Sequence, residues 1–150
     1  MLMEGFSMVF GDPLSIVLVA AGTLIGTIFG AIPGLTATMA VTICLPMTFA
    51  MSDNRAIALL MALYIGGISG GLVPAILINI PGTPSSVCTT FDGHPMALRG
   101  EGERALKIGV TSSFMGGMIS LVVLALFTPI LAGWAIKFSA VEKFLIILFA

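Results

Sequence analysis

The sequence predicts an all-α, polytopic transmembrane protein whose helices are broken by Pro-Gly interruptions. Three observations carry that expectation. Charged residues make up only 9% of the chain and apolar residues 58%, whereas an ordinary soluble domain is about 25% charged. The charges are also clustered: none lies between Asp12 and Asp53, between Arg55 and Asp92, or between Lys107 and Lys137. Each interval exceeds the ~20 apolar residues that span a bilayer core, and one charge at the centre of a spanning helix costs about 2.5–3.5 kcal/mol on insertion scales. Third, Pro-Gly pairs interrupt the apolar stretches, at Pro33-Gly34 and Pro81-Gly82. The net charge of −1 leaves no basic patch for phosphates, so nucleic acid is excluded as a partner.

The elements follow in order. Met1 to Asp12 carries Glu4 and Asp12 but no Lys or Arg, so it lacks the basic start of a secretory signal. Leu14 to Ile32 is uncharged and long enough to span the bilayer, ending at Pro33-Gly34. Thr36 to Met51 is apolar but short, with Pro46 inside. Ser52 to Arg55 reads as a polar turn, with Asp53 near a helix N-terminus, where a carboxylate accepts free backbone N–H groups. Ala56 to Ile80 is a second long apolar run, broken by Pro81-Gly82-Thr83-Pro84.

Ser85 to Leu98 is more polar, and Asp92-Gly93-His94-Pro95 within it reads as a turn. Arg99 to Lys107 is the most hydrophilic stretch. Its basic residues Arg99, Arg104 and Lys107 place that loop in the cytoplasm by the positive-inside rule. Ile108 to Phe127 spans again, and Pro129 is expected to end or kink it. Lys137 to Lys143 reads as an interfacial loop, with Trp134 as an interface anchor. Phe144 to Ala150 begins another apolar helix, too short to cross a bilayer, which suggests the N-terminal part of a longer permease domain.

Glycines and breaks hold the functional signal. Gly22, Gly26, Gly30 and Gly34 recur at intervals that align them on one helix face, and Gly66/Gly70 and Gly67/Gly71 do the same. Such faces let helix backbones approach closely in lipid. The segments Ile32-Pro33-Gly34-Leu35-Thr36 and Ile80-Pro81-Gly82-Thr83-Pro84 resemble each other, and each follows a Gly-rich helix. A break frees backbone N–H and C=O groups, and these persist at membrane depth only inside protein or beside a water-filled cavity. Paired broken helices point to a transporter's binding site. Hydroxyls follow both breaks: Thr36 and Thr38 after the first, Thr83, Ser85 and Ser86 after the second. They suit a carboxylate or Na⁺. Asn79, directly before the second break, needs a partner, which is either a neighbouring helix or a ligand. His94 and Asp92 read as turn residues, and Cys44 and Cys88 as small buried hydrophobes.

These motifs resemble a known family. Gly26-Thr27-Ile28-Phe29-Gly30-Ala31-Ile32-Pro33-Gly34-Leu35-Thr36-Ala37 is similar to the first signature of the large membrane subunit of tripartite tricarboxylate transporters. Tyr64-Ile65-Gly66-Gly67 through Gly70-Gly71, then Ala75 to Ser86, resembles the second, and Thr89 to Met96 continues the match. The resemblance implies a multi-pass permease of the bacterial inner membrane that imports tri- or dicarboxylates, with Na⁺ or H⁺ as the coupling ion and no other cofactor. It also implies two partners, a small membrane subunit and a periplasmic solute-binding protein. The residues expected at a substrate or cation site are Pro33, Gly34, Thr36, Asn79, Pro81, Gly82, Thr83, Ser85 and Ser86. A membrane-embedded enzyme would need a base–nucleophile pair or metal ligands at bilayer depth, and the sequence offers neither. The alternative is a structural or assembly subunit with no substrate site of its own.

Overall fold

The computed structural model describes residues 11–135 and 139–149. Among them the chain forms α1 (Pro13–Ala31), α2 (Ala37–Thr48), α3 (Asp53–Gly70), α4 (Leu72–Ile78), α5 (Val87–Leu98), α6 (Gly102–Ala135) and α7 (Ala140–Phe149). A 3-10 turn, Pro84–Ser86, leads into α5, and the described residues include no strand. Pro13–Ala31, Asp53–Ile78 and Gly102–Gly133 are each long and apolar enough to cross a membrane. The protein is therefore all-α and polytopic, as the charge-free intervals predict.

The chain divides into two compact units at Val110–Thr111. In the first, α1 and α3 lie side by side and run in the same direction. Their partners rise together along both helices. Asp12 pairs with Arg55, Gly22 sits on Ala62, Gly26 on Leu63 and Gly67, and Gly30 on Gly67. A Cβ at Gly26 or Gly30 would overlap the backbone of Leu63 or Gly67, and one at Gly66 or Gly70 would meet the Thr23 or Thr27 carbonyl. The glycine face thus packs two helix backbones together. Gly34 is not on that face, because α1 ends at Ala31 and Gly34 sits in the following turn.

Helix α2 returns antiparallel. Its first residue, Ala37, packs on Gly67, and Ala40 is buried with Leu59 and Leu63. Chain direction then reverses at Ser52, and α3 starts at Asp53, so Asn54 and Arg55 are helical rather than part of a turn. Asp12 caps α1 by accepting the Leu14 N–H at 3.2 Å and lies 2.6 Å from the Arg55 guanidinium. That hydrogen bond to Arg55 holds the Asp12 carboxyl below the usual carboxylate range.

The second apolar run is two helices rather than one. Pro74 has no N–H to give the carbonyl four residues back, and its ring crowds that turn. The helix accordingly breaks at Gly71, between α3 and α4. Leu72 and Ile76 of α4 are buried with Ala105 of α6, and Met96, Ala97 and Leu106 pack around them. The charged turn after α5 approaches the far end of α4, where Gly102 sits beside Leu77. The Asp12–Arg55 pair and this turn therefore lie at opposite ends of the 26-residue run Asp53–Ile78, about 39 Å long at 1.5 Å per residue.

Asp92-Gly93-His94-Pro95 is not a turn but part of α5. Gly93 serves packing there, since a Cβ on it would lie 2.8 Å from Cγ1 of Ile76. Cys44 is half-buried against the Ala40 cluster, but Cys88 is exposed, and both are free thiols.

In the second unit α6 runs through Pro129 to Ala135, so this proline does not end the helix. At membrane depth a continued helix satisfies more backbone groups than an early stop. Ser139 and Glu142 form a reciprocal cap at the start of α7, with the Ser139 N–H donating to Glu142 at 2.6 Å. Helix therefore replaces the expected loop from Ala140 onward. Lys137 and the side chains of Lys143 and of Trp134, the expected interface anchor, lie outside the described residues.

Candidate functional site

The second break packs against the end of α1, at Gly30, three residues before the Pro33 of the first break. A Cβ on Gly82 would lie 2.5 Å from the Gly30 carbonyl oxygen and 2.9 Å from the Gly71 Cα. Gly30 also faces Gly67, which in turn faces Ala37 at the start of α2. Five small residues thus bring the ends of α1, α3 and the second break to the beginning of α2. No larger residue fits at Gly30, Gly67 or Gly82 without moving backbone.

The first break is a tight turn. The Leu35 N–H donates to the Ile32 carbonyl at 3.1 Å, and Gly34 has φ +94°. Proline at the second position and glycine at the third suit such a turn, because the third residue must take a positive φ. The chain then extends through Thr36, whose hydroxyl accepts the Met39 N–H at 3.2 Å and caps α2. Pro33, Gly34, Thr36 and Thr38 are exposed. The first-turn N–H groups of α2 have no acceptor within the helix and carry its positive dipole end.

The second break begins with Asn79. It ends α4 in the left-handed region at φ 57°, exposed, with its own N–H returned to the Pro74 carbonyl. Asparagine tolerates that conformation better than most residues. The residue thus has a backbone role that is separate from whatever its amide binds. Pro81 is exposed and Gly82 half-buried.

The three hydroxyls after Gly82 divide into two kinds. Ser86 is fully buried and Thr83 is 7% exposed. The Thr83 N–H donates to Ser86 Oγ at 3.2 Å, and Ser86 Oγ donates to the Thr83 carbonyl at 2.8 Å. These two close on each other as a capping box. Ser85 is exposed and shares a hydrogen bond of 3.0 Å with Thr83 Oγ1. Thr36, Asn79 and Ser85 therefore keep hydrogen-bonding capacity toward a ligand, while Thr83 and Ser86 shape the start of α5.

Two contacts had no legible sequence signal. His94 Nδ1 lies 3.0 Å from the Ile76 carbonyl oxygen, which ties α5 to α4. The Asp12–Arg55 pair joins residues 43 apart. Among the described residues no group of His, Cys, Asp and Glu could hold a metal ion.

Comparison with known proteins gives two findings. Residues 16–150 match the tripartite tricarboxylate transporter TctA family. The chain is also 39% identical over 135 residues to an uncharacterized 52.8 kDa protein of Agrobacterium vitis, from the TAR-I ttuC' 3' region. That alignment covers 90% of this chain and 27% of the relative, so the chain spans about a quarter of the relative's length. No solved structure matches the chain.

Proposed function

Because the chain belongs to the tripartite tricarboxylate transporter TctA family, we propose that it forms part of a cation-coupled permease for tri- or dicarboxylates, fed by a solute-binding protein. The observation that carries this reading is the packing of the second break on Gly30, in the helix that leads into the first break, with Thr36, Asn79 and Ser85 exposed in the two break segments. A carboxylate needs several N–H and O–H donors in a region that excludes bulk water. The N-terminal turn of α2 supplies backbone donors and a positive dipole end. The Thr36 and Ser85 hydroxyls and the Asn79 amide supply the rest. The same oxygens suit a Na⁺ ion. Pro33, Gly34, Pro81 and Gly82 act indirectly, by holding the breaks open, and Thr83 and Ser86 by holding α5.

The small membrane subunit and the periplasmic binding protein are the proposed partners, and the bacterial inner membrane is the proposed location. The proposed orientation has Arg99, Arg104 and Lys107 in the cytoplasm, which puts the Asp12–Arg55 pair at the other face. The test is uptake of radiolabelled citrate by cells expressing the full reading frame with its genomic neighbours. Uptake should collapse when the Na⁺ and H⁺ gradients are dissipated and should fall in competition with unlabelled di- and tricarboxylates. Uptake that is absent with every carboxylate, in cells that contain all three components, contradicts the reading.

A further inference from the structure

We infer that His94 is a positioning residue for the second break, acting through the Ile76 carbonyl. The geometry begins with the left-handed turn at Asn79. In a continuing helix the Ile80 N–H would donate to the Ile76 carbonyl, four residues back. Here the Ile80 N–H turns to the Pro74 carbonyl instead, at 3.3 Å, beside the Asn79 N–H on the same oxygen. That leaves the Ile76 oxygen without its helical donor. Ile76 is 0% exposed, so water does not take the donor's place. His94 fills it: Nδ1 sits 3.0 Å from the oxygen. A carbonyl only accepts, so Nδ1 must carry the hydrogen.

The contact is built for closeness. Gly93, beside His94, lies flat against Ile76, and any larger residue would push α5 away. Pro95 follows inside the helix. The imidazole thus caps a helix end that the break exposes, and it fixes the distance between the end of α4 and α5 at His94. The bond joins α4, which leads into the break, to α5, which follows it. The consequence for carboxylate uptake rests on the function proposed above, but the local structural role does not.

Two isosteres separate the role of Nδ1 from mere bulk. His94→Asn places an amide N–H near the Nδ1 position, whereas His94→Gln places it near Nε2. The measurement is hydrogen–deuterium exchange of the full-length protein in lipid nanodiscs, read on peptides covering 77–83, with peptides from 22–31 as an internal reference. His94→Asn should exchange as wild type does. His94→Gln should exchange about tenfold faster over 77–83, as expected for one lost net hydrogen bond, with 22–31 unchanged. Equal protection in both variants, or a loss spread equally over 22–31, overturns the assignment. A parallel citrate-uptake series should show a raised KM with unchanged maximal rate for His94→Gln and wild-type constants for His94→Asn. Exchange that follows the prediction while no variant, wild type included, takes up carboxylate condemns the transport reading and leaves the role of His94 standing.

Discussion

Gly30 and Gly82 meet backbone to backbone: a Cβ on Gly82 would lie 2.5 Å from the Gly30 carbonyl oxygen, so the second Pro-Gly break packs on the helix that leads into the first. The contact explains the glycine at the end of α1: its main chain must come close enough for the second break to fit.

Substitution at this junction is therefore expected to be severe. Gly30→Ala and Gly82→Ala each force backbone apart, which costs about 1–3 kcal/mol or more. Gly102→Ala meets only ordinary contacts, the nearest at 3.6 Å. Thermal unfolding of the purified full-length protein should show a clear drop in Tm for the first two and little change for the third. An unchanged Tm in Gly30→Ala would mean the helices are not packed as described.

Asn79 offers a way to split backbone role from side-chain role. Its φ of 57° suits glycine and asparagine and costs another residue roughly 1–2 kcal/mol. Asn79→Gly should keep wild-type stability, and Asn79→Ala should lower it. If the amide touches substrate, both should lose uptake alike. Full uptake by Asn79→Gly would confine this residue to its turn.

The hydroxyls of the second break should behave unequally. Ser86→Ala removes the buried acceptor of the Thr83 N–H and should destabilise by about 1 kcal/mol, the usual cost of a lost cap. Ser85→Ala, at an exposed position, should leave the Tm within error of wild type. Equal losses in the two variants would contradict the division between shaping and contacting residues.

The Asp12–Arg55 pair predicts a pH dependence of definite sign. Its hydrogen bond lowers the Asp12 pKa from the ordinary value of 3.8. A lowered carboxylate pKa stabilises the fold above the unfolded value, and that contribution fades as pH falls through the folded value. Wild type should thus lose an increment of stability below about pH 4 that Asp12→Asn never had. A double-mutant cycle with Arg55→Gln measures the coupling, which is expected to be small for a partly exposed pair. Identical acid profiles for wild type and Asp12→Asn would count against the pair.

Much of this architecture is legible in the residues alone. The charge-free intervals mark α1, the α3–α4 run and α6, because a bilayer penalises charge along the whole spanning length of a helix. Pro33-Gly34 and Pro81-Gly82 mark the breaks, because backbone chemistry is local. What escaped had non-local causes. Asp92 to Pro95 carries turn residues, yet Gly93 is there to let α5 lie on Ile76. The Asp12–Arg55 pair forms only because α1 and α3 run parallel, and no local pattern in either helix encodes that direction. Of the expected site residues, the sequence could not separate Ser85, left outside, from Ser86, closed within its cap.

The claim that the paired breaks form a carboxylate site is tested most directly by one double variant. Asn79→Gly with Ser85→Ala removes two proposed ligand contacts while keeping the left-handed turn and the buried cap. Uptake of radiolabelled citrate at subsaturating concentration, by cells with wild-type membrane abundance of the full-length protein, should fall roughly tenfold or more, as expected when a hydrogen bond to a charged group is lost. Wild-type uptake by that variant would contradict the account.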